Sequence, residues 1–141
     1  MTLVKWIFIL FFGILGTGLL VDYLAVTSGY ESVGRSMEQS LDSGIIASEY
    51  ISDASKGTVS LDVEKLKKTI HDEFQQNMKL DANLENDFYK NTTFIVEYKY
   101  DANGKPWIQM KLHTQVSFMF KNIISYPINA ERNIAYEAVY M

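Results

Sequence analysis

Few residues in this chain are of types that do chemistry, and their spacing argues against a catalytic or metal site. The two histidines, His71 and His113, are far apart in sequence. The first falls in a stretch of helical periodicity and the second on the polar side of an alternating strand. They form no spaced ligand pair of the kind zinc requires, and each reads as a solvated side chain. The absence of cysteine excludes disulfides and thiolate metal ligands. The serines between residues 28 and 60 lack a G-x-S-x-G or S-x-x-K setting. No Walker A loop or G-x-G-x-x-G is present. The glycines of Gly13-Ile14-Leu15-Gly16-Thr17-Gly18 lie inside an apolar run, where no phosphate would go. The expectation is a protein with no catalytic residues, no cofactor site, no metal site and no small-molecule substrate.

The charges that stand out are Lys5 and Asp22, because they bracket that apolar run. Trp6 to Val21 is uncharged and gives ~24 Å of helix at ~1.5 Å per residue. Leu3, Val4 and Leu24 to Val26 extend it enough to cross the ~30 Å hydrocarbon layer of a bilayer. Lys5 suits a snorkelling position, and Trp6 suits the interface. Lys5 and the α-amine precede the run, whereas Asp22 and Glu31 follow it. The positive-inside rule then puts the N-terminus in the cytoplasm and the remainder outside. A cleaved signal peptide is the rival reading. Its cleavage site fits poorly, since no A-x-A follows the run and Val26-Thr27-Ser28 is the nearest small-residue pattern. Asp22 reads either as a headgroup-level carboxylate or as a charge partner for Lys5 or the N-terminal amine of a neighbouring subunit. Gly13, Gly16 and Gly18 are candidates for close helix packing.

These residues need an element to carry them, and the periodicity supplies one. Val26, Tyr30, Val33, Met37, Leu41, Ile45 and Ser48 recur at steps of three and four, with the charges largely off that stripe. A single helix is expected from about Leu3 to Asp53, apolar in its first half and amphipathic in its second. The stripe is expected to pack on the domain's own sheet, and packing on other subunits is compatible with that. After a break at Ser55-Lys56-Gly57-Thr58, a second helix is expected from Ser60 as N-cap to about Met78. Val63, Leu66, Ile70 and Phe74 form its inner face. Residues 79–91 read as loop. Alternation predicts strands over Thr93–Tyr100 and from Pro106 to Phe120, joined by an Asp101-Ala102-Asn103-Gly104 turn. After a turn at Ser125-Tyr126-Pro127, a third strand is expected over Asn133–Tyr140, with Ile134, Tyr136, Ala138 and Tyr140 facing in.

The fold class is thus α+β: a long N-terminal helix, a second short helix and a small antiparallel sheet of about three strands. Residues 1–25 are the apolar anchor and residues 26–141 an extracytoplasmic domain. The chain of 141 residues has a net charge of −4 and a pI near 5.1. Its basic residues are scattered and outnumbered, which argues against a nucleic-acid partner.

This layout resembles the type IV pilin-like proteins, and more narrowly the TadE-type pseudopilins. The apolar WIFILFFGILGTGLLVDY stretch, the Tyr30 to Ile51 stripe and the strands after Thr93 carry the resemblance. Where such precursors have Gly or Ala and then Glu at the fifth position, this chain has Gly18 and then Asp22 one position early. The resemblance implies a membrane-held structural subunit or minor component of a surface filament or secretion apparatus. Its partners would be the lipid bilayer and either copies of itself or other pilin-like subunits. The alternative is a membrane-tethered extracytoplasmic binding or accessory module with no filament role.

Overall fold

In the computed structural model, which describes residues 1–53, 55, 58–121 and 123–136, Thr2–Ser48 form one continuous helix, α1. At ~1.5 Å per residue it is ~70 Å long. No proline interrupts it. Residues 1–17 are exposed all round, while from Gly18 onward one stripe of the helix is covered. Val33, Met37 and Leu41 on that stripe are buried at 4% exposure or less. The expected amphipathic half therefore packs on its own domain. Tyr30 departs from the expected stripe and stays 48% exposed.

The helix ends earlier than its periodicity suggested. Ser48 Oγ donates back to the Gly44 carbonyl at 2.7 Å. Glu49 turns extended, and the Ser48 carbonyl accepts the Asp62 N–H at 3.0 Å. Residues Glu49–Asp53 (β1) and Thr58–Leu61 (β2) then pair antiparallel. This hairpin replaces the last turn expected of the first helix and the first residues expected of the second. Tyr, Ile, Thr and Val around a short polar turn favour strand over helix. Ser60 accordingly sits in β2. The N-cap of the second helix, α2 (Val63–Asn77), is Asp62, whose Oδ1 accepts the Lys65 N–H at 3.1 Å.

A three-stranded antiparallel sheet follows, built from β3 (Tyr89–Tyr100), β4 (Pro106–Val116) and β5 (Tyr126–Ala135) in that order. Strand β3 starts sooner than expected. A bulge between Lys90 and Thr93, with Asn91 at φ 51°, absorbs the polar Asn-Thr stretch that reads as loop. The β3–β4 turn is as expected: Asp101 Oδ1 accepts the N–H groups of Asn103 and Lys105, each at 2.8 Å, and Gly104 takes φ 78°. Strand β4 ends at Val116, so Phe118 and Phe120 belong to the β4–β5 loop rather than to its inner face. The third strand is shifted toward the N-terminus. Tyr126 and Pro127 open it instead of forming a turn, because Pro127 lies on an edge strand where its missing donor is tolerated. Ile128 and Ala130 are the buried residues of β5, while Ile134 is 39% exposed. Ala138 and Tyr140 lie outside the described residues.

One face of the sheet is covered by the two helices, α1 lying against β5 and α2 against β3. Leu66, Ile70, Phe74, Phe94, Ile108, Met110, Leu112, Val116 and Ile128 form the centre. The Phe74 and Phe94 rings stack at 4.2 Å. Each such side chain contributes ~1.5–3 kcal/mol by burial. The two helices meet closely at Gly44, where an added Cβ would collide with Cγ1 of the fully buried Ile70. The end of the sheet is tied to the end of α1 by Tyr136, whose hydroxyl donates to Glu49 Oε1 at 3.0 Å. Burial, and after it the Glu49 carboxylate, push the Tyr136 phenol up to about 12.

Two outcomes follow for stability. Gly44→Ala gains up to ~1 kcal/mol of helix propensity but overpacks the core by ~1–3 kcal/mol; the expected net loss is read as a lower urea midpoint. The Tyr136 phenol is raised in the folded state, so its contribution is intact below pH ~10, the ordinary tyrosine value. It is lost as pH rises toward about 12. Urea midpoints measured across that range should fall, and Tyr136→Phe should flatten the decline.

Candidate functional site

The most unusual chemistry in the molecule is a carboxylate at the end of the apolar run. Asp22 follows Gly18 by one helical turn, and both lie on the covered stripe of α1. Asp22 is only 1% exposed. Its Oδ1 accepts the backbone N–H of Met119 at 2.7 Å, a contact across most of the chain. Its Oδ2 is buried without a protein hydrogen-bond partner. Phe120 lies over Gly18, with ring atoms 3.0 and 3.1 Å from where a Cβ would be. Any larger residue at 18 would push the ring away. The β4–β5 loop is folded for this contact: Phe120 O accepts the N–H groups of Ile123 and Ile124, both at 2.9 Å. Phe118 packs edge-on to Phe88 at 6.4 Å. Phe88 in turn covers Gly29 of α1.

The five residues singled out in the sequence are not brought together. Lys5 is exposed, ~26 Å from Asp22 along the helix at ~1.5 Å per residue. No pairing between the two is possible within one chain. Gly13 and Gly16 have nothing within 4 Å of an added Cβ. Gly18 is occupied by Phe120. The residues the sequence reading missed are Met119 and Phe120. Their signal was there in another form: Gly18, Asp22, Gly29, Val33, Ser36, Ser40, Gly44 and Ser48 recur at helical spacing, and all are buried.

The two histidines have different neighbours. His71 lies beside Asp72 at 3.8 Å, and His113 Nδ1 lies 2.6 Å from Asn129 Oδ1. No group of three metal-ligating side chains occurs among the described residues. The outer face of the sheet carries a polar ladder. Lys99 pairs with Glu97 at 2.6 Å and donates to Gln109 at 3.0 Å. Gln109 and Asn133 donate to Glu131 at 2.7 and 3.0 Å. Those bonds, Asn133 first, hold the Glu131 carboxyl below its ordinary range. A Lys99 hydrogen bond does the same for Glu97. This is a solvated surface that orders side chains across three strands. A second ion pair, Arg132 to Glu38 at 3.2 Å, links β5 to α1 over Gly34; exposed as it is, it is worth ~0–1 kcal/mol.

Among the described residues, α1 is the one helix long and apolar enough to cross a membrane, and a signal sequence passes the same test of length and composition. The chain matches no protein-family model, no curated protein and no solved structure.

The Asp22 contact is open to a direct check. Asp22→Ala leaves the Met119 N–H without its acceptor, at an expected cost of ~1–3 kcal/mol. Asp22→Asn keeps an acceptor and should recover most of it. Urea unfolding of the two variants in detergent separates these outcomes.

Proposed function

We propose that the protein is a single-pass, membrane-held structural subunit of pilin-like type, with its N-terminus cytoplasmic and its α+β domain outside. The observation that carries this reading is the continuity of α1. The helix leaves its own domain with residues 1–17 exposed all round, yet Phe8, Phe11 and Ile14 there are apolar and more than half exposed. Such a surface requires cover from lipid or from other helices. The same helix, without a break, is the spine on which the sheet and α2 are built. A rigid apolar rod fixed to a small domain suits a subunit that is held in a bilayer and then packed side by side with copies of itself. Gly13 and Gly16, open in the single chain, are the points where a neighbouring helix would come closest.

The alternative, a tethered extracytoplasmic module with no filament role, has one observation in its favour. Asp22 is engaged by its own chain, which withdraws the charge that would pair with a neighbour's Lys5. The two readings differ over the free glycines. Gly16→Leu should leave folding and membrane insertion intact but convert detergent-extracted oligomers to monomers. The mass measured by light scattering, with chemical crosslinking in cells, reads this out. A wild-type chain that is already a discrete monomer in both assays would select the tethered module.

A further inference from the structure

The β4–β5 loop carries apolar side chains that its own domain leaves uncovered. Phe118, Met119 and Ile123 are 45%, 60% and 81% exposed, and Lys121 beside them is exposed as well. The position of the loop along α1 is what gives this meaning. A span of the ~30 Å hydrocarbon layer takes ~20 helical residues. From Leu3 that count ends at Asp22. The stretch of α1 that stands clear of the domain ends at Thr17, ~22 Å from Leu3 at ~1.5 Å per residue. The last ~8 Å of the span therefore falls where the loop lies against the helix. Phe120 touches the helix at Gly18, ~6 Å deeper than the Asp22 level by the same rise.

We infer that the β4–β5 loop is a second membrane contact, which rests its apolar side chains in the outer interface of the lipid bilayer beside α1. The inference rests on the bilayer-held reading of α1. Met119 and Ile123 supply the apolar face, and Lys121 supplies a cation at the depth of the lipid phosphates. An amphipathic surface of this kind enters the boundary between headgroups and acyl chains by ~5–10 Å. Tyr23, 66% exposed on the next turn of α1, sits at the level where interfacial aromatics collect. The Asp22–Met119 bond holds the loop at this depth. Phe120 closes over Gly18 and fills the space between loop and helix. A lipid surface fits better than a second copy, because the exposed side chains continue the apolar surface of the helix at the height where the span is still incomplete.

The chain has no cysteine, so single labels report cleanly. Met119→Cys and Ile123→Cys are each labelled with a polarity-sensitive fluorophore. Ile9→Cys marks the middle of the span. Asn103→Cys marks the β3–β4 turn, at the other end of β4. The full chain is reconstituted in phosphatidylcholine–phosphatidylglycerol vesicles, and matching circular dichroism spectra confirm that each labelled variant is folded. The expected result is blue-shifted emission at 119 and 123, quenched by lipids with a nitroxide near the headgroup and protected from iodide. The label at 103 should behave in the opposite way, and the label at 9 should be quenched by deep nitroxides. If 9 is quenched by lipid while 119 and 123 are as open to iodide as 103, the loop inference is overturned and the anchor stands. If 9 is itself open to iodide, the anchor reading fails and the loop inference fails with it. Protection of 119 and 123 that lacks lipid quenching and grows with the protein-to-lipid ratio would assign the surface to a second copy and also overturn the inference.

Discussion

A helix that runs unbroken from an apolar segment into a folded domain must meet two surroundings with one backbone. On the bilayer-held reading, every N–H and C=O of the apolar segment has to be satisfied within the segment, and a continuous helix does this without help. Inside the domain the same helix has to let a sheet and a second helix come close. The chain meets the second demand with small residues. Gly18 lies under Phe120, Gly29 under Phe88, Gly34 under the Arg132 guanidinium and Gly44 under Ile70. Each glycine weakens the isolated helix by up to ~1 kcal/mol against alanine. The tertiary contacts it permits offset that, and in proteins packing rather than propensity dominates helix stability. The buried serines add to the same pattern. Ser40 and Ser48 satisfy their hydroxyls on the helix's own carbonyls at 2.6 and 2.7 Å, so they occupy the stripe without leaving a polar group unpaired.

Asp22 is where the two regimes meet. A buried carboxylate is costly unless it is hydrogen-bonded, and here the bond comes from a backbone N–H in the β4–β5 loop. The acid does not point into solvent as a helix-end charge would; it acts as an acceptor around which the loop is folded. Phe120 lies one turn away, over Gly18. The Met119 bond satisfies one carboxylate oxygen only; Oδ2 stays buried without a hydrogen-bond partner among the described residues, a cost that the loop's other contacts have to offset.

The legible part of the fold was the part governed by period. Alternation along Ile108 to Val116 and the three- and four-residue steps of Val33, Met37 and Leu41 report burial directly, and their residues are in the core. The hairpin of β1 and β2 was not legible, because the helical stripe carries on past Ser48 in sequence. The helix ends where Glu49 turns extended, and the Ser48 carbonyl is then taken by the Asp62 N–H from fourteen residues away. The early start of β3 was hidden by Asn91, whose left-handed conformation turns a polar stretch into a bulge. For β5 the alternation was read in the right phase but several residues late, since a Tyr-Pro pair resembles a turn and only an edge position makes it a strand. The role of Asp22 was the least visible. Its type and place marked it, but its partner is a backbone group 97 positions away, and a backbone group leaves no trace in residue type.

The continuity of α1 has a consequence for how the domain is oriented. Each helical residue adds ~1.5 Å of rise and ~100° of rotation, so depth and heading are set together. The domain's contacts begin at Gly18 with no flexible linker between it and the exposed half of the helix. Whatever holds residues 1–17 therefore also fixes which side of the helix the β4–β5 loop faces and how deep it lies. A hinge after the apolar run would have uncoupled the two and allowed the loop to choose its own surroundings. The placement of Gly18 and Asp22 on one face, a single turn apart, makes the loop's position a property of the helix rather than of the sheet that supplies it.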